Sequence, residues 1–209
     1  MADPDRLRVE RPERYRAILE AACAEFAQRG YERGNVNAIA ERVGVGKGTL
    51  YNYVGSKEDL FLHTVEYAAG QVIAHVKTHV LPTASPRERM RQLVLADLLF
   101  MDEHQDAYML MVSIFYGANF LYGKSEGYLQ LAMGAYREFF ALIGDICRDW
   151  MGAERFEARG GLRVAFQVIS LIEAANLYAW VSPEPVDRKT DAERVLTMLD
   201  EGLGAAEER

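Results

Sequence analysis

The chain has 209 residues, 50% of them apolar and 26% charged, and its 24 Lys and Arg face 31 Asp and Glu for a formal net charge of −7. That length holds one large domain or two small ones around a substantial core, and the apolar content excludes a chain that is disordered throughout. Two cysteines, Cys23 and Cys147, are too few and too widely spaced for a disulfide framework or a zinc motif. The first residues are charged rather than apolar, so no secretory signal is read there and a cytoplasmic location is expected.

The charge is unevenly placed. Residues 1–63 carry 10 basic and 10 acidic side chains, whereas residues 64–209 carry 14 against 21 and hold the whole net charge. Two parts with different partners are expected, only the first of them able to tolerate an anion.

In chain order the apolar spacing reads as helix almost throughout. Tyr15, Ile18, Leu19, Ala22 and Phe26 recur at three- and four-residue steps between Arg14 and Arg29, and Gly30 follows as a stop. Asn35 is a natural cap for a second, short helix with Val36, Ile39, Ala40 and Val43 on its buried side, ended by Gly44. A third short helix runs from Lys47 to Val54, and Ser56 with Asp59 three residues on opens a long fourth helix that ends by Pro82. Further helices are expected at about 86–103, 105–121, 125–151, 155–181 and 188–206, separated by turns rich in Gly, Pro and Ser. No segment alternates with period two for long enough to make a sheet. The expected fold is all-α with about nine helices, a three-helix module over 1–55 followed by a larger helical domain over 56–209. The uncharged run from Ala107 to Gly123 approaches membrane-span length, but its Ser, Asn and Tyr residues read as core, and no membrane contact is expected.

Two short helices joined by a tight glycine turn and braced by an amphipathic helix make a helix-turn-helix, which lays its second helix in a major groove. In "KGTLYNYV" Leu50 and Val54 form a buried edge at an i, i+4 interval. Lys47, Thr49, Tyr51, Asn52 and Tyr53 are then expected to face outward, all able to hydrogen-bond phosphates or base edges. Gly46 and Gly48 leave the start of that helix bare, so a phosphate or base edge can approach free backbone N–H groups. Lys57 sits in the first turn of the fourth helix, where the dipole prefers an acid, and a bound phosphate would repair the conflict.

The stretch "GYERGNVNAIAERVGVGKGTLYNYVGSKEDLF", residues 30–61, resembles the DNA-binding segment of the tetracycline-repressor (TetR) family of bacterial regulators, with "IAERVGV", "KGTLYNY" and "SKEDLF" in the family's order and spacing. The resemblance implies a homodimeric repressor on a palindromic double-stranded operator, with an acidic helical domain that binds a small-molecule effector and supplies the dimer interface. It assigns Lys47, Gly48 and Asn52 to base edges, and Thr49, Tyr51, Tyr53 and Lys57 to phosphates, with Asn37 adding a contact. The chain departs from the family at three places. Gly46 stands where a Ser or Thr cap is usual, Val54 where Phe is usual, and Asn35 where Thr is usual.

The C-terminal part reads as sensor and interface. Aromatics and methionines crowd residues 105–140, and buried tyrosines need hydroxyl partners that a ligand can supply. Phe115, Tyr116, Phe120, Tyr136 and Phe140 are the candidate lining, with Glu173 and Asn176 as polar members on "GLRVAFQVISLIEAANLYAWV". A carboxylate at 173, in such apolar company, must be paired, protonated or ligand-facing. The small residues Ala165, Val168, Ile172, Ala175 and Ala179 share one face of that helix. With the stripe Val195, Leu196, Leu199 and Leu203 of the last helix, they are expected to build an intersubunit four-helix bundle.

No nucleophile elbow, P-loop or dinucleotide fingerprint appears, so no catalysis and no cofactor are expected. His75 and His79 lie at i, i+4 without an H-E-x-x-H pattern, and surface histidines rather than metal ligands are expected there. "MDEHQD" reads as a polar turn between helices. The rival to a regulator is an all-helical dimeric small-molecule-binding protein or enzyme without operator binding.

Overall fold

A proline at the first helical turn presets φ where no N–H is needed, and the first helix of the computed structural model, α1, duly spans Pro12–Arg33. The structure describes Leu7, residues 9–116 and residues 126–203, without the side chains of 115, 116, 126–133 and 135. The next elements are α2 (Val36–Val43), α3 (Lys47–Val54), α4 (Lys57–His79), α5 (Pro86–Glu103) and α6 (Gln105–Tyr116). They are followed by α7 (Glu126–Met151), α8 (Ala153–Ala158), α9 (Leu162–Val181) and α10 (Arg188–Leu203). No strand occurs among the described residues. Among the described residues the count is ten rather than about nine, because the glycine pair Gly160–Gly161, at φ 90° and 51°, separates α8 from α9 where one helix was expected.

The chain forms two compact units. The first comprises residues 1–71 and 105–135, the second residues 72–104 and 136–209, so α4 begins in one and ends in the other. In the first unit α1 packs against α2 and α6, and α2 against α3. Gly30 does not end α1 but kinks it, at φ 69° and ψ 175°, a region essentially reserved for glycine. Three residues of helix follow before Gly34. There a Cβ would stand 2.6 Å from the Phe26 ring, so only glycine lets the chain turn over that ring into α2.

Phe26 is wholly buried and meets Phe61 edge-on at 5.0 Å, while Tyr31 meets Phe61 at 5.3 Å. Glu25, which the sequence reading passed over, is 3% exposed. Its carboxylate accepts the Asn35 backbone N–H at 2.9 Å and lies 3.4 Å from the Arg29 guanidinium. A buried charge held by one hydrogen bond and one ion pair thereby ties α1 to the α2 cap.

In the second unit α5, α9 and α10 pack on one another, with Leu93, Val94 and Leu98 of α5, Val164, Val168 and Ile172 of α9, and Leu196 and Leu199 of α10 all buried. Arg188, 8% exposed, reaches Asp102 with both ends of its fork, at 2.8 and 2.6 Å. This fastens the start of α10 to the end of α5. Cys23 and Cys147 are buried free thiols, each pushed up to about 12 by burial, with Asp106 adding to the effect on Cys23.

This packing corrects the expected dimer surface. Ala165, Val168 and Ile172, which were assigned to a partner, are at 0% exposure, and Val195, Leu196 and Leu199 are at 1–3%, while Ala175, Ala179 and Leu203 of the same stripes are half-buried. In the chain's own packing α5, α9 and α10 lie against one another. Leu177, Tyr178, Trp180 and Val181 of α9 and Met198 of α10 are left outside, between 53% and 70% exposed. By length and composition α9 could cross a membrane, yet it packs on α5 and α10 and buries Asn176 in hydrogen-bonding contact with α5, as a core helix does.

Candidate nucleic-acid interface and effector core

The geometry of the head follows from its caps. Asn35 accepts the Asn37 backbone N–H at 2.9 Å and starts α2, and Gly44, left-handed at φ 70°, ends it. The turn then delivers α3 through Gly46, which supplies no side-chain cap. Leu50 and Val54 seal the back of α3 at 0% and 1% exposure, as their spacing predicts. Lys47, Gly48 and Thr49 are exposed on its front, Tyr51 and Asn52 are half-buried, and Asn37 is exposed on α2. The Lys47 ammonium stands 5.9 Å from the Tyr51 ring centroid, within cation–π range and still free to turn outward.

Tyr53 is a correction. It is 3% exposed, so its ring is core and not part of the outward face; α3 is only eight residues long and needs a third large side chain besides Leu50 and Val54 to hold it down. Lys57 is half-buried. Its ammonium donates to the Glu32 carbonyl at 3.1 Å and lies 5.0 Å from the Tyr31 ring. The negative end of α1 thus relieves the conflict with α4's dipole that a phosphate was expected to relieve. The cap that opens α4 forms as its sequence predicts, with Ser56 Oγ accepting the Asp59 N–H at 3.0 Å and donating to its carboxylate at 2.7 Å, while the Ser56 N–H goes to the Val54 carbonyl at 3.1 Å.

Gly48 has nothing within 4 Å of the place where a Cβ would sit. Neither space nor backbone conformation inside the chain requires a glycine there.

In the second unit the structure brings together Tyr136, Phe140, Glu173 and Asn176 of the expected lining and adds Asp97 and Phe166. Phe115, Tyr116 and Phe120 lie outside the described side chains. Phe140 stacks on Phe166 at 4.0 Å and 17°, with Tyr136 at 6.3 Å from Phe140. Asp97 is 3% exposed and Asn176 wholly buried, and the Asn176 amide donates to the Asp97 carboxyl at the long distance of 3.5 Å. Burial first, then repulsion from Glu173, holds the Asp97 carboxyl well above its ordinary range, against the Asn176 hydrogen bond. Burial, again with Glu173, pushes the Tyr136 hydroxyl up as well. Asn176 Oδ1 is buried without a partner among the described residues. Asp97 was missed because one acid in "LVLADLLF" looks like an interruption of the apolar run rather than a member of a cluster.

The sign of the Asp97 effect can be measured. A folded-state pKa raised above the ordinary 3.8 means that the folded chain keeps a proton the unfolded chain has lost, so stability falls as pH rises from about 4 through the folded value. Asp97→Asn keeps the shape, removes the charge and offers Asn176 Oδ1 a donor. It is expected to raise stability at pH 8 by about 1–3 kcal/mol, with a smaller gain at pH 5. A melting midpoint below that of the parent chain at pH 8 would contradict the assignment.

His75 is 8% exposed, not the surface residue expected, and His79 is exposed. Burial lowers the His75 pKa, His79 and His104 add to this, and Glu103 and the Ala96 carbonyl oppose it.

A short helix whose apolar back is sealed and whose polar front is bare, held by a kinked first helix and a glycine turn, defines a helix-turn-helix protein. Residues 18–64 match the family model described as bacterial regulatory proteins, tetR family, and the fold is that of TetR-like regulators. The chain is 32% identical over 104 residues to the HTH-type transcriptional activator FasR of Mycolicibacterium smegmatis, covering 50% of this chain and 48% of that protein. It is 30% identical over 88 residues to the fatty acid metabolism regulator protein of Bacillus subtilis, covering 42% and 45%. The match therefore spans about half the length of these curated relatives or less. Over 90% of this chain and 98% of the other, the fold matches that of FadR from Bacillus subtilis, solved in complex with stearoyl-CoA, at a TM-score of 0.69 and 19% identity.

Proposed function

We propose that the chain is a DNA-binding transcriptional regulator, not an enzyme, in which residues 1–55 read a palindromic operator and residues 56–209 bind a small-molecule effector and a second copy. The observation that carries this reading is the bare front of α3, Lys47, Gly48 and Thr49 exposed over a back sealed by Leu50 and Val54, inside the segment that matches the family model. Lys47, Gly48 and Asn52 would meet base edges, and Thr49, Tyr51, Lys57 and Asn37 phosphates, with Tyr53 as a buttress from behind. Lys57 would exchange its Glu32 carbonyl for a phosphate oxygen. Few cations reach this surface, so useful affinity calls for two heads on half-sites about 34–36 Å apart or a multiple of a helical turn.

The exposed Leu177, Tyr178, Trp180, Val181 and Met198 support a homodimer through α9 and α10, by a different face of those helices from the one their apolar stripes suggest. The aromatic lining with Asp97, Glu173 and Asn176 supports a largely apolar effector, and the fatty-acid regulators among the relatives make an acyl chain the class to test first. Effector binding would act by preferring one spacing of the two heads, its effect limited by that preference. α4 runs on from the head, and α6 rests on α1, so both are in position to pass the change. Repression in the cytoplasm, relieved by effector, is the reading we adopt.

Selection of bound duplexes from a random pool tests it. An enriched inverted repeat is expected, followed by its release in a screen of acyl thioesters of graded length. No enriched motif even at low salt would overturn the operator reading and leave a helical small-molecule-binding protein.

A further inference from the structure

Four histidines occur in the chain, and three of them, His75, His79 and His104, gather in the second unit. His75 lies on the last turns of α4, and His104 caps the C-terminus of α5 directly after Glu103. Nitrogen and oxygen atoms of His75, Glu103 and His104 all lie within 4.8 Å of one another. One ring nitrogen of His75, Nδ1, is 3.8 Å from the Glu103 carboxylate, the ring also meets the Ala96 carbonyl, and Nε2 is buried without a hydrogen-bond partner among the described residues. The neighbouring Asp102 is occupied by Arg188 and does not compete.

We propose that His75, Glu103 and His104 form a binding site for a divalent transition-metal ion of the zinc class. Ligand atoms around tetrahedral zinc stand about 3.4 Å apart when the bonds are about 2.0–2.1 Å, so the 3.8 Å approach of His75 and Glu103 needs only a small closure, and His104, within 4.8 Å of both, comes into range by a side-chain movement of about 1 Å. Two imidazoles and one carboxylate suit zinc, cobalt or nickel rather than calcium or magnesium, which take oxygen alone. Glu103 is exposed, so solvent can fill a fourth position. His79, whose ring centroid is 4.1 Å from that of His75, turns its Nδ1 to the His75 carbonyl at 2.8 Å and stands beside the set rather than in it. An ion there would join the end of α4 to the end of α5, immediately before α6.

The competing account is packing. Phe100 meets His75 edge-on at 5.5 Å and lies tilted by 31° against His104 at 4.8 Å, and an aromatic cluster of that kind needs no metal. The two accounts differ in a titration of the purified full chain, stripped with chelator, with Co²⁺ and then Zn²⁺. One equivalent per chain is expected, with visible cobalt bands that zinc displaces and a melting midpoint that rises with zinc concentration. Glu103→Gln, at an exposed position, and His104→Ala should each weaken binding at least about tenfold, with circular dichroism unchanged; His63→Gln, in the other unit, should not. Absence of cobalt bands, or equal binding by the parent and Glu103→Gln, would overturn the site and leave the packing account.

Discussion

A chain carrying Gly48→Ala is expected to become slightly more stable and to lose its grip on DNA. Gly48 is in helical backbone, with open space where a Cβ would point, and replacing a helical glycine by alanine gains up to about 1 kcal/mol. Nothing inside the protein is disturbed by the added methyl group. On the proposed reading the same methyl would stand where backbone and base edge meet, and a steric insertion of that size in a close-packed contact costs about 1–3 kcal/mol. With one such head on each half-site, affinity for the selected duplex should fall at least about tenfold, which is about 1.4 kcal/mol. Anisotropy titration alongside thermal melting reads both quantities. Unchanged affinity would mean that α3 does not lie against DNA at this point, and lowered stability would mean that the open space at Gly48 is misjudged.

The second large effect belongs to the support of the head. Phe26 is fully buried and holds Phe61 edge-on, and its ring also fills the hollow that Gly34 leaves. Phe26→Ala should destabilise the first unit by about 3–5 kcal/mol, the range for deleting a core phenylalanine. Its ring sets the turn from α1 into α2, so specific duplex binding should weaken along with stability, unlike the Gly48 variant. Amide exchange localises the damage. Faster exchange in α1 to α3, with α9 and α10 protected as before, is the expected pattern, and a loss under about 1 kcal/mol would show that Phe26 is not the centre of this core.

The head was legible because its information is local. Caps at Asn35 and Ser56, the stop at Gly44, and the Leu50–Val54 edge all act within four or five residues, the range over which helix signals operate. Tyr53 escaped that reading because an eight-residue helix has room for one more buried side chain, and which aromatic fills it depends on the neighbours. Glu25 and Asp97 escaped for another reason. An acid in an apolar run is interpretable only once its partners, Asn35 and Asn176, are seen to come from elsewhere in the chain. The same holds for Glu103 and His104, which read as turn until His75 stands opposite them.

What the sequence determined by itself was the all-helical class, the order and limits of most helices, and the polar front of α3, since each depends on periodicity and capping along a short piece of chain. Tertiary structure alone decided which apolar face of α9 and α10 the protein keeps for itself. Both helices offer more than one apolar face, and it is their packing with α5 and with each other that buries Ala165, Val168, Ile172 and Leu196, leaving Leu177, Tyr178, Trp180 and Val181 outside. A helix's periodicity says how many faces it has, but the partner that covers one of them is distant in sequence, and so the choice is made by packing.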